Sequence, residues 1–391
     1  MRPHSTALLL VFFIILLDVM GLTLLFPVGT FIIQRYSDDA IHVALLHTIY
    51  AASQFSAAPA LGYVSDRVGR RPVILACVFG QAAGYVLFGL GGALWILFLA
   101  RGIGGITGGS ISTATAYIAD VSRPEDRPRN FTLVGIAWGV GLVIGPALGA
   151  AAGEKLLELP AYIAAGLSLA SAGLCWFRLP ESLPPERRDR SAFRLASLNP
   201  FGSVLRTFRR PEFVLPLLAL CLFNFAFQGI NSMEALYLIQ RFGAEPWHLG
   251  LLMVCVGVVI AVVQGFGVRR LIPRHGEKRT AVVALSLQGA AAAGALLAPS
   301  LVVIFPVILF RNAASGFVFP SLGGLVSMQA RDEEQGQLMG VTTALASLMS
   351  ALGPAASGAV HERVFPGAAY VLGAVLIGAA AILAGRLRVR A

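Results

Sequence analysis

The sequence predicts an all-α membrane protein, with twelve transmembrane helices in two pseudo-symmetric six-helix bundles. Three observations predict it. The 391 residues are 57% hydrophobic and only 13% charged, whereas a soluble domain carries about 25% charged residues. The apolar residues fall in blocks of about the ~20 residues that a helix needs to cross a bilayer. Several features of the first half recur in the second at a nearly constant offset.

In lipid every backbone polar group needs an internal partner, so such blocks are helices or the strands of a closed barrel. Barrel strands alternate apolar and polar residues, and these blocks do not. The first block, 6–33, follows Arg2 and His4 like the start of a secretory signal. It runs on past Asp18 without an A-x-A site, and it reads as the first membrane helix. The others cover 40–65, 72–92, 94–119, 130–152, 160–179, 211–240, 247–271, 279–298, 301–330, 337–361 and 366–386. The longest connection, rich in Arg and Pro, divides the chain into a bundle at 1–180, a cytoplasmic linker at 181–210 and a second bundle at 211–391.

Charge sets the orientation. With the N-terminus in the cytoplasm, the termini and the loops after even-numbered blocks hold 24 of the 30 Lys and Arg residues. The opposite side holds Arg35, Lys155, Arg241 and Arg363, while Arg101 and Arg311 lie inside blocks. This bias predicts both termini inside a plasma (bacterial inner) membrane. The net charge of +10 is therefore spread over short loops rather than gathered on a nucleic-acid-binding face. Cys77, Cys175, Cys221 and Cys255 all fall within blocks and show no metal spacing, so they read as buried hydrophobes, with no metal site or cofactor expected.

The repeat comes next. Gly69-Arg70-Arg71 after the second block matches Gly276-Glu277-Lys278-Arg279 after the eighth, Arg101 matches Arg311, and Gly145-Pro146 matches Gly353-Pro354. The separations lie between 207 and 210 residues. A duplicated six-helix unit of this kind builds parallel repeats about an axis along the membrane normal, a design in which a single chain suffices as a monomer.

Polar residues inside blocks mark functional candidates, because they are expensive in lipid. Asp18 in the first block is a candidate reversible proton carrier or a direct partner for a cationic substrate. Arg101 lies in a Gly-rich helix, where it needs water, a carboxylate or carbonyls around it. Asn224, Gln228, Asn231 and Glu234 recur at spacings of four, three and three, so they share one helix face. Such a stripe should line a cavity. Gln54, Gln81, Gln288 and Arg311 complete the candidate substrate-lining set, with Gln264 a further polar position. No G-x-S-x-G, no H-E-x-x-H and no His pair at helical spacing occurs, so no catalytic residues are expected. A receptor or scaffold would not need two matched halves.

Two stretches carry a family resemblance. The first is Gly62-Tyr63-Val64-Ser65-Asp66-Arg67-Val68-Gly69-Arg70-Arg71, which resembles the G-x-x-x-D-R-x-G-R-R signature loop of the major facilitator superfamily. Asp66 can pair there with arginines across the cytoplasmic helix ends, with Asp120 a second acid in the same cluster, and the whole would act as a gate latch. The second is Gly141-Leu142-Val143-Ile144-Gly145-Pro146-Ala147-Leu148-Gly149-Ala150. It resembles the G-x-x-x-G-P-x-x-G-G motif of drug/proton antiporters, with Ala150 in place of the last Gly.

Further segments look like the tetracycline/proton antiporter group: Ala116-Tyr117-Ile118-Ala119-Asp120-Val121, Leu94-Trp95-Ile96-Leu97, Ile106-Thr107-Gly108, Gly276-Glu277-Lys278 and Gln335-Gly336-Gln337-Leu338. The resemblance spans essentially the whole chain. It implies alternating access and proton-driven export of drug-like molecules, with Arg101 in proton coupling beside Asp18; Glu234, which is this sequence's own acid, is read as joining them by taking over part of the acidity the group carries elsewhere. The sequence departs from that group where Gly84, Gln288 and Ile260 stand at positions the group fills with two acids and a histidine, which puts tetracycline itself in doubt as a substrate. The alternative is a facilitator or symporter for a sugar or other metabolite. The Gly-Pro motif of the fifth block, 130–152, argues against it, and the amide stripe argues mildly for it.

Overall fold

The computed structural model describes residues 3–123, 126–188, 201–329 and 335–387. Part of the linker expected at 181–210 lies outside these residues, as do Arg2, Arg190, Arg194, Arg331, Arg388 and Arg390 of the charge count. Secondary structure among the described residues is helical throughout. The helices are α1 (Pro3–Leu24), α2 (Gly29–Gln34), α3 (Ala40–Val68), α4 (Arg70–Leu90), α5 (Leu94–Thr107), α6 (Ser110–Val121), α7 (Arg127–Gly153) and α8 (Leu159–Arg178). They continue with α9 (Phe201–Phe208), α10 (Pro211–Phe242), α11 (Pro246–Val262), α12 (Val268–His275), α13 (Glu277–Ala295), α14 (Leu301–Ser327), α15 (Gln335–Arg363) and α16 (Ala368–Arg386).

Each of the twelve apolar blocks is helical. Among the described residues, ten spans are long and apolar enough to cross a membrane. The other two blocks are α3, diluted by His42, His47, Gln54 and several hydroxyls, and the Ala- and Gly-rich α13.

Three blocks expected as single helices are interrupted. The first stops at Leu24 and resumes at Gly29, because Pro27 supplies no N–H and disfavours helix at the residue before it. The fourth breaks between Thr107 and Ser110 at Gly108-Gly109, where α3 comes so close that a Cβ on Gly108 would stand 3.0 Å from Gln54 and from Tyr50. The eighth contains a π-helical turn, Val263–Gly267, that carries Gln264. The linker also contains a short helix, α9, that the Arg- and Pro-rich composition did not suggest. Its Val204 and Phe208 pack on a core of Phe213, Leu217 and Cys221 from α10 with Val326, Leu338, Val341 and Leu345.

The chain forms two compact units. Unit 1 comprises Met1–Asp38, Ile49–Leu198 and Pro246–Val254; unit 2 comprises Asp39–Thr48, Asn199–Glu245 and Cys255–Ala391. In unit 1, α1 packs along α7 and α8, and α4 packs along α5 and α8. In unit 2, α10 packs along α15 and α16, and α13 packs along α14 and α16. Each pairing in the first unit thus has its counterpart in the second, as a duplicated sequence requires. The core of unit 1 is built from Val11, Ile14, Ile15, Ile74, Tyr117, Ile118 and Ala137, all nearly inaccessible.

The first turns of α3 and of α11 each join the opposite unit. Glu362 at the end of α15 accepts the Ala40 N–H that opens α3, at 2.6 Å. Gly250 of α11 sits against Ala150 and the Pro146 carbonyl of α7.

Candidate functional site

Among the described residues each unit holds one buried acid with polar partners of its own, and a third charged cluster lies at the turn between α3 and α4. In unit 1, the break at Gly108-Gly109 sets Ser110 at the start of α6. Its hydroxyl donates to Asp18 Oδ2 on α1. Gln81 on α4 donates through Nε2 to Ser110 Oγ and to the Thr107 carbonyl, both at 3.4 Å. Gln81 Oε1 has no partner. Asp18, Ser110 and Gln81 are all at most 5% exposed. Three helices therefore converge on one carboxyl group, in the place where the sequence singled out Asp18 and Gln81. Ser110 was missed. Its only sequence signal was its position just after a Gly-Gly pair inside an apolar block.

Arg101 is brought near aromatic rings rather than an acid. Its guanidinium lies 5.0 Å from the centre of the Phe88 ring and 5.9 Å from that of Tyr50, a cation–π setting, and its Nε has no partner. Among the described residues no carboxylate forms an ion pair with it. Gln54 donates to the Gly108 carbonyl at 3.3 Å, bracing the break in the fourth block.

The antiporter-like motif of α7 lies against α1, past Asp18. A Cβ on Gly141 would stand 2.7 Å from Val19 Cγ1, and one on Gly145 would stand 3.0 Å from the Met20 carbonyl. Gly149 meets the Leu24 carbonyl even more closely. Thr23 donates to Val19 O at 2.8 Å and across to Gly141 O at 3.0 Å. The glycines thus let α7 approach the backbone of the helix that carries Asp18.

In unit 2, Glu234 on α10 pairs with Arg311 on α14, Nη2 to Oε2 at 2.5 Å. Arg311 Nη2 also donates to Asn231 Oδ1 at 3.0 Å, and the Tyr370 hydroxyl of α16 donates to Glu234 Oε2 at 3.3 Å. Glu234 and Arg311 are 3% and 1% exposed, so the glutamate is sealed inside its unit rather than wetted at a helix end. The polar stripe on α10 splits. Asn231 and Glu234 join this cluster. Gln228 instead donates to Ser350 on α15 at 2.9 Å, and Asn224 turns back onto the Leu220 carbonyl of its own helix. Gln288 is 1% exposed with both amide atoms unpartnered.

The third cluster is centred on Arg70. It bonds Asp66 Oδ1 at 2.6 Å, Asp120 Oδ2 at 3.1 Å and Ser65 Oγ at 2.6 Å. Arg71 reaches the Trp176 and Cys175 carbonyls at the end of α8. Arg67 stacks over the Tyr63 ring at 4.2 Å. Gly69 has φ +117°, a conformation that favours glycine, and the matching Gly276 has φ +77°. No atom lies within 4 Å of a Cβ on Gly62, so close packing does not account for that glycine.

Glu181, just past α8, was not singled out from sequence. Its carboxylate accepts the backbone N–H groups of Arg70 (2.9 Å), Arg71 (3.2 Å) and Leu183 (3.0 Å). It thereby caps the N-terminus of α4, where an anion is favoured. An acid directly after Pro180, at the start of an Arg-rich connection, was the available hint.

This cluster of acids around the DRxGRR turn and the paired helix repeats coincide with a family match. The model of the Major Facilitator Superfamily matches residues 11–354 and 233–390. The chain belongs to the major facilitator superfamily. It is a multi-pass membrane protein of a family of transporters.

Among relatives of this superfamily member is the class C tetracycline resistance protein of Escherichia coli, 33% identical over 382 residues and covering 95% of this chain and 94% of that one. The crystal structure of the human organic anion transporter MFSD10 (TETRAN) superposes with a TM-score of 0.72 at 25% identity, covering 98% of this chain and all of the other. A mutant of the nucleoside transporter NupG superposes with a TM-score of 0.78 at 15% identity over 98% of each chain, a likeness of fold.

Proposed function

We propose that this superfamily member is a proton-coupled secondary transporter that exports drug-like or amphiphilic small molecules by alternating access. It works as a monomer of two six-helix bundles, 1–180 and 211–391, joined by a cytoplasmic linker at 181–210. It resides in the plasma (bacterial inner) membrane with both termini in the cytoplasm, an orientation supported by the 24:4 bias of basic residues.

The observation that carries the reading is the environment of Asp18. A carboxyl group in the middle of α1 is 4% exposed, has no basic partner among the described residues and is held by the Ser110 hydroxyl. A structural carboxylate at this depth calls for a cation to neutralise it. One that exchanges a proton does not, and the Ser110 hydroxyl, itself held by the Gln81 amide, gives Asp18 a neutral hydrogen-bonding partner. The packing of the α7 motif onto the same helix supports antiport over uptake, by its likeness to the motif of drug/proton antiporters. The tetracycline resistance proteins among the relatives support export of a drug.

Tetracycline itself is not the inferred cargo. At Gly84, a Cβ would already stand 3.1 Å from the Ala100 carbonyl and 3.4 Å from the Gly104 nitrogen. The helix contact of α4 with α5 is tight there, so an acidic side chain would need the two backbones to shift apart. The sugar or metabolite reading rested on the amide stripe of α10, and two of its amides are taken up by Leu220 and Arg311.

The test is efflux of ethidium from cells that express the protein, with and without a protonophore, for the wild type and for Asp18→Asn. Expression-dependent efflux that collapses with the protonophore and is lost in D18N, at unchanged protein level in the membrane, is the expected result. Gradient-driven transport that survives in D18N removes Asp18 as the essential carrier.

A further inference from the structure

Arg311 carries more hydrogen-bond donors than the protein uses. A guanidinium has five N–H donors. The two on Nη2 go to Glu234 and Asn231, while Nε and Nη1 have no partner, and the side chain is 1% exposed. A guanidinium placed only to neutralise Glu234 would be expected to spend its remaining donors on carbonyls or hydroxyls, since unmade bonds in a buried site are costly.

We propose that Arg311 is the subsite for an anionic group of the substrate, a carboxylate or sulfonate, and that Glu234 is the internal carboxylate holding the arginine between substrates; this rests on the export reading above. Both bidentate edges of a guanidinium, Nε with Nη2 and Nη1 with Nη2, include Nη2. An oxyanion arriving on either edge therefore takes Nη2 from an acceptor that now holds it, and at the same time engages a donor that is now idle. Glu234 is the acceptor of matching charge. A cationic group would do the reverse: it would take Glu234 from Arg311 and leave a buried guanidinium with Asn231 as its remaining acceptor.

The exchange balances in charge. Empty, the site holds one carboxylate and one guanidinium. Loaded, it holds the substrate anion, the guanidinium and a displaced glutamate, which takes up one proton so that the buried site stays neutral. The proton leaves again when the anion departs and the ion pair re-forms. The groups around Glu234 permit this. Arg311 faces it from α14 and Tyr370 donates to it from α16. On α15 the nearest titratable side chain, His361, bonds Gln240 instead. The remaining neighbour, α9, meets α10 far along the helix, around Phe213 and Leu217. The proton on Glu234 is separate from the one exchanged at Asp18.

The test uses purified full-length protein in detergent and tritiated 1-naphthylacetate, with uncharged 1-naphthylacetamide as the competitor of equal shape. The wild type is expected to prefer the carboxylate at least tenfold, and to bind it more tightly at pH 6 than at pH 8. Glu234→Gln frees the guanidinium, so at pH 8 it should bind the carboxylate at least threefold more tightly than the wild type, with no dependence on pH. Arg311→Gln should lose the preference for the carboxylate. The double variant E234Q/R311Q, which leaves no unpaired buried charge, should lose it too and covers the case in which R311Q does not fold. Equal affinity for acid and amide in the wild type, or weaker binding of the acid by E234Q, overturns the proposal. Absence of protonophore-sensitive naphthylacetate efflux from cells that express the protein, beside the expected binding results, would remove the export reading and leave Arg311 standing as an anion-binding site.

Discussion

Replacing Glu181 should loosen the start of α4 by an amount that its hydrogen bonds set. The carboxylate accepts three backbone N–H groups, at 2.9, 3.2 and 3.0 Å. Hydrogen bonds to a charged group contribute about 1.5–3 kcal/mol each when buried, and the half-buried position of Glu181 calls for the lower end or less. Two of the three bonds go to Arg70 and Arg71, so Glu181→Ala should cost the α4 N-terminus about 2 kcal/mol. With about 1.4 kcal/mol per factor of ten, the Arg70 and Arg71 amides should exchange with deuterium about 30-fold faster in E181A. Glu181→Gln keeps one acceptor oxygen and should fall between. Hydrogen exchange with mass spectrometry on peptides covering residues 66–76, in detergent or nanodiscs, reads this directly. A change below threefold in E181A would refute the reasoning, and would mean that the Arg70–Asp66–Asp120 network holds the turn without the cap. Gly69→Ala should give a similar acceleration, because a Cβ there would stand 2.8 Å from Glu181 Cδ and the backbone sits at φ +117°.

Ser110→Ala should slow proton-driven ethidium efflux by about tenfold, since a lost bond to a carboxylate amounts to about 1.5–3 kcal/mol. Ser110→Thr, which keeps the hydroxyl, should restore most of it, and wild-type rates in S110A would remove Ser110 from the site. Gly149→Val should lower the thermal stability of the purified protein by forcing α7 off the Leu24 carbonyl, at a cost of about 1–3 kcal/mol. Gly135→Ala, where no atom lies within 4 Å of the new Cβ, is the matched control, and equal melting temperatures for the two would contradict the close packing of α7 on α1.

The helices and the duplication were legible because both are written in long-range composition. Twelve apolar blocks and an offset of 207–210 residues survive any uncertainty about single residues. The breaks were not read, although Pro27 and Gly108-Gly109 are visible, because in lipid a proline or glycine inside an apolar block is compatible with an unbroken helix. Asp18, Gln81, Glu234 and Arg311 stood out because polar side chains at membrane depth are expensive. Ser110 and Glu181 did not. A serine costs little inside a membrane helix, and an acid in a loop costs nothing, so neither announces its role until the fold brings Asp18 or the start of α4 beside it. The α10 stripe shows the converse: a shared helical face did not make its four residues one site, since Asn224 could satisfy itself on the Leu220 carbonyl of its own helix.

The two units keep the same scaffold and differ in their charges. Gly145-Pro146 packs on α1 much as Gly353-Pro354 packs on α10, where Gly353 meets the Phe225 carbonyl. Arg101 and Arg311 occupy matching places, yet Arg311 has an acid and Arg101 has aromatic rings. The acid of unit 1 is on α1 at Asp18, apart from its arginine and bound to a hydroxyl. That of unit 2 is on α10 at Glu234, directly on its arginine. A carboxyl group without a cation can gain and lose a proton at little cost to its neighbours, whereas one locked to a guanidinium gives it up only when something replaces it. Duplication supplied two equal frames, and the proposed division of labour, protons at Asp18 and exchange with a substrate at Arg311 and Glu234, rests on where each frame places its buried carboxylate.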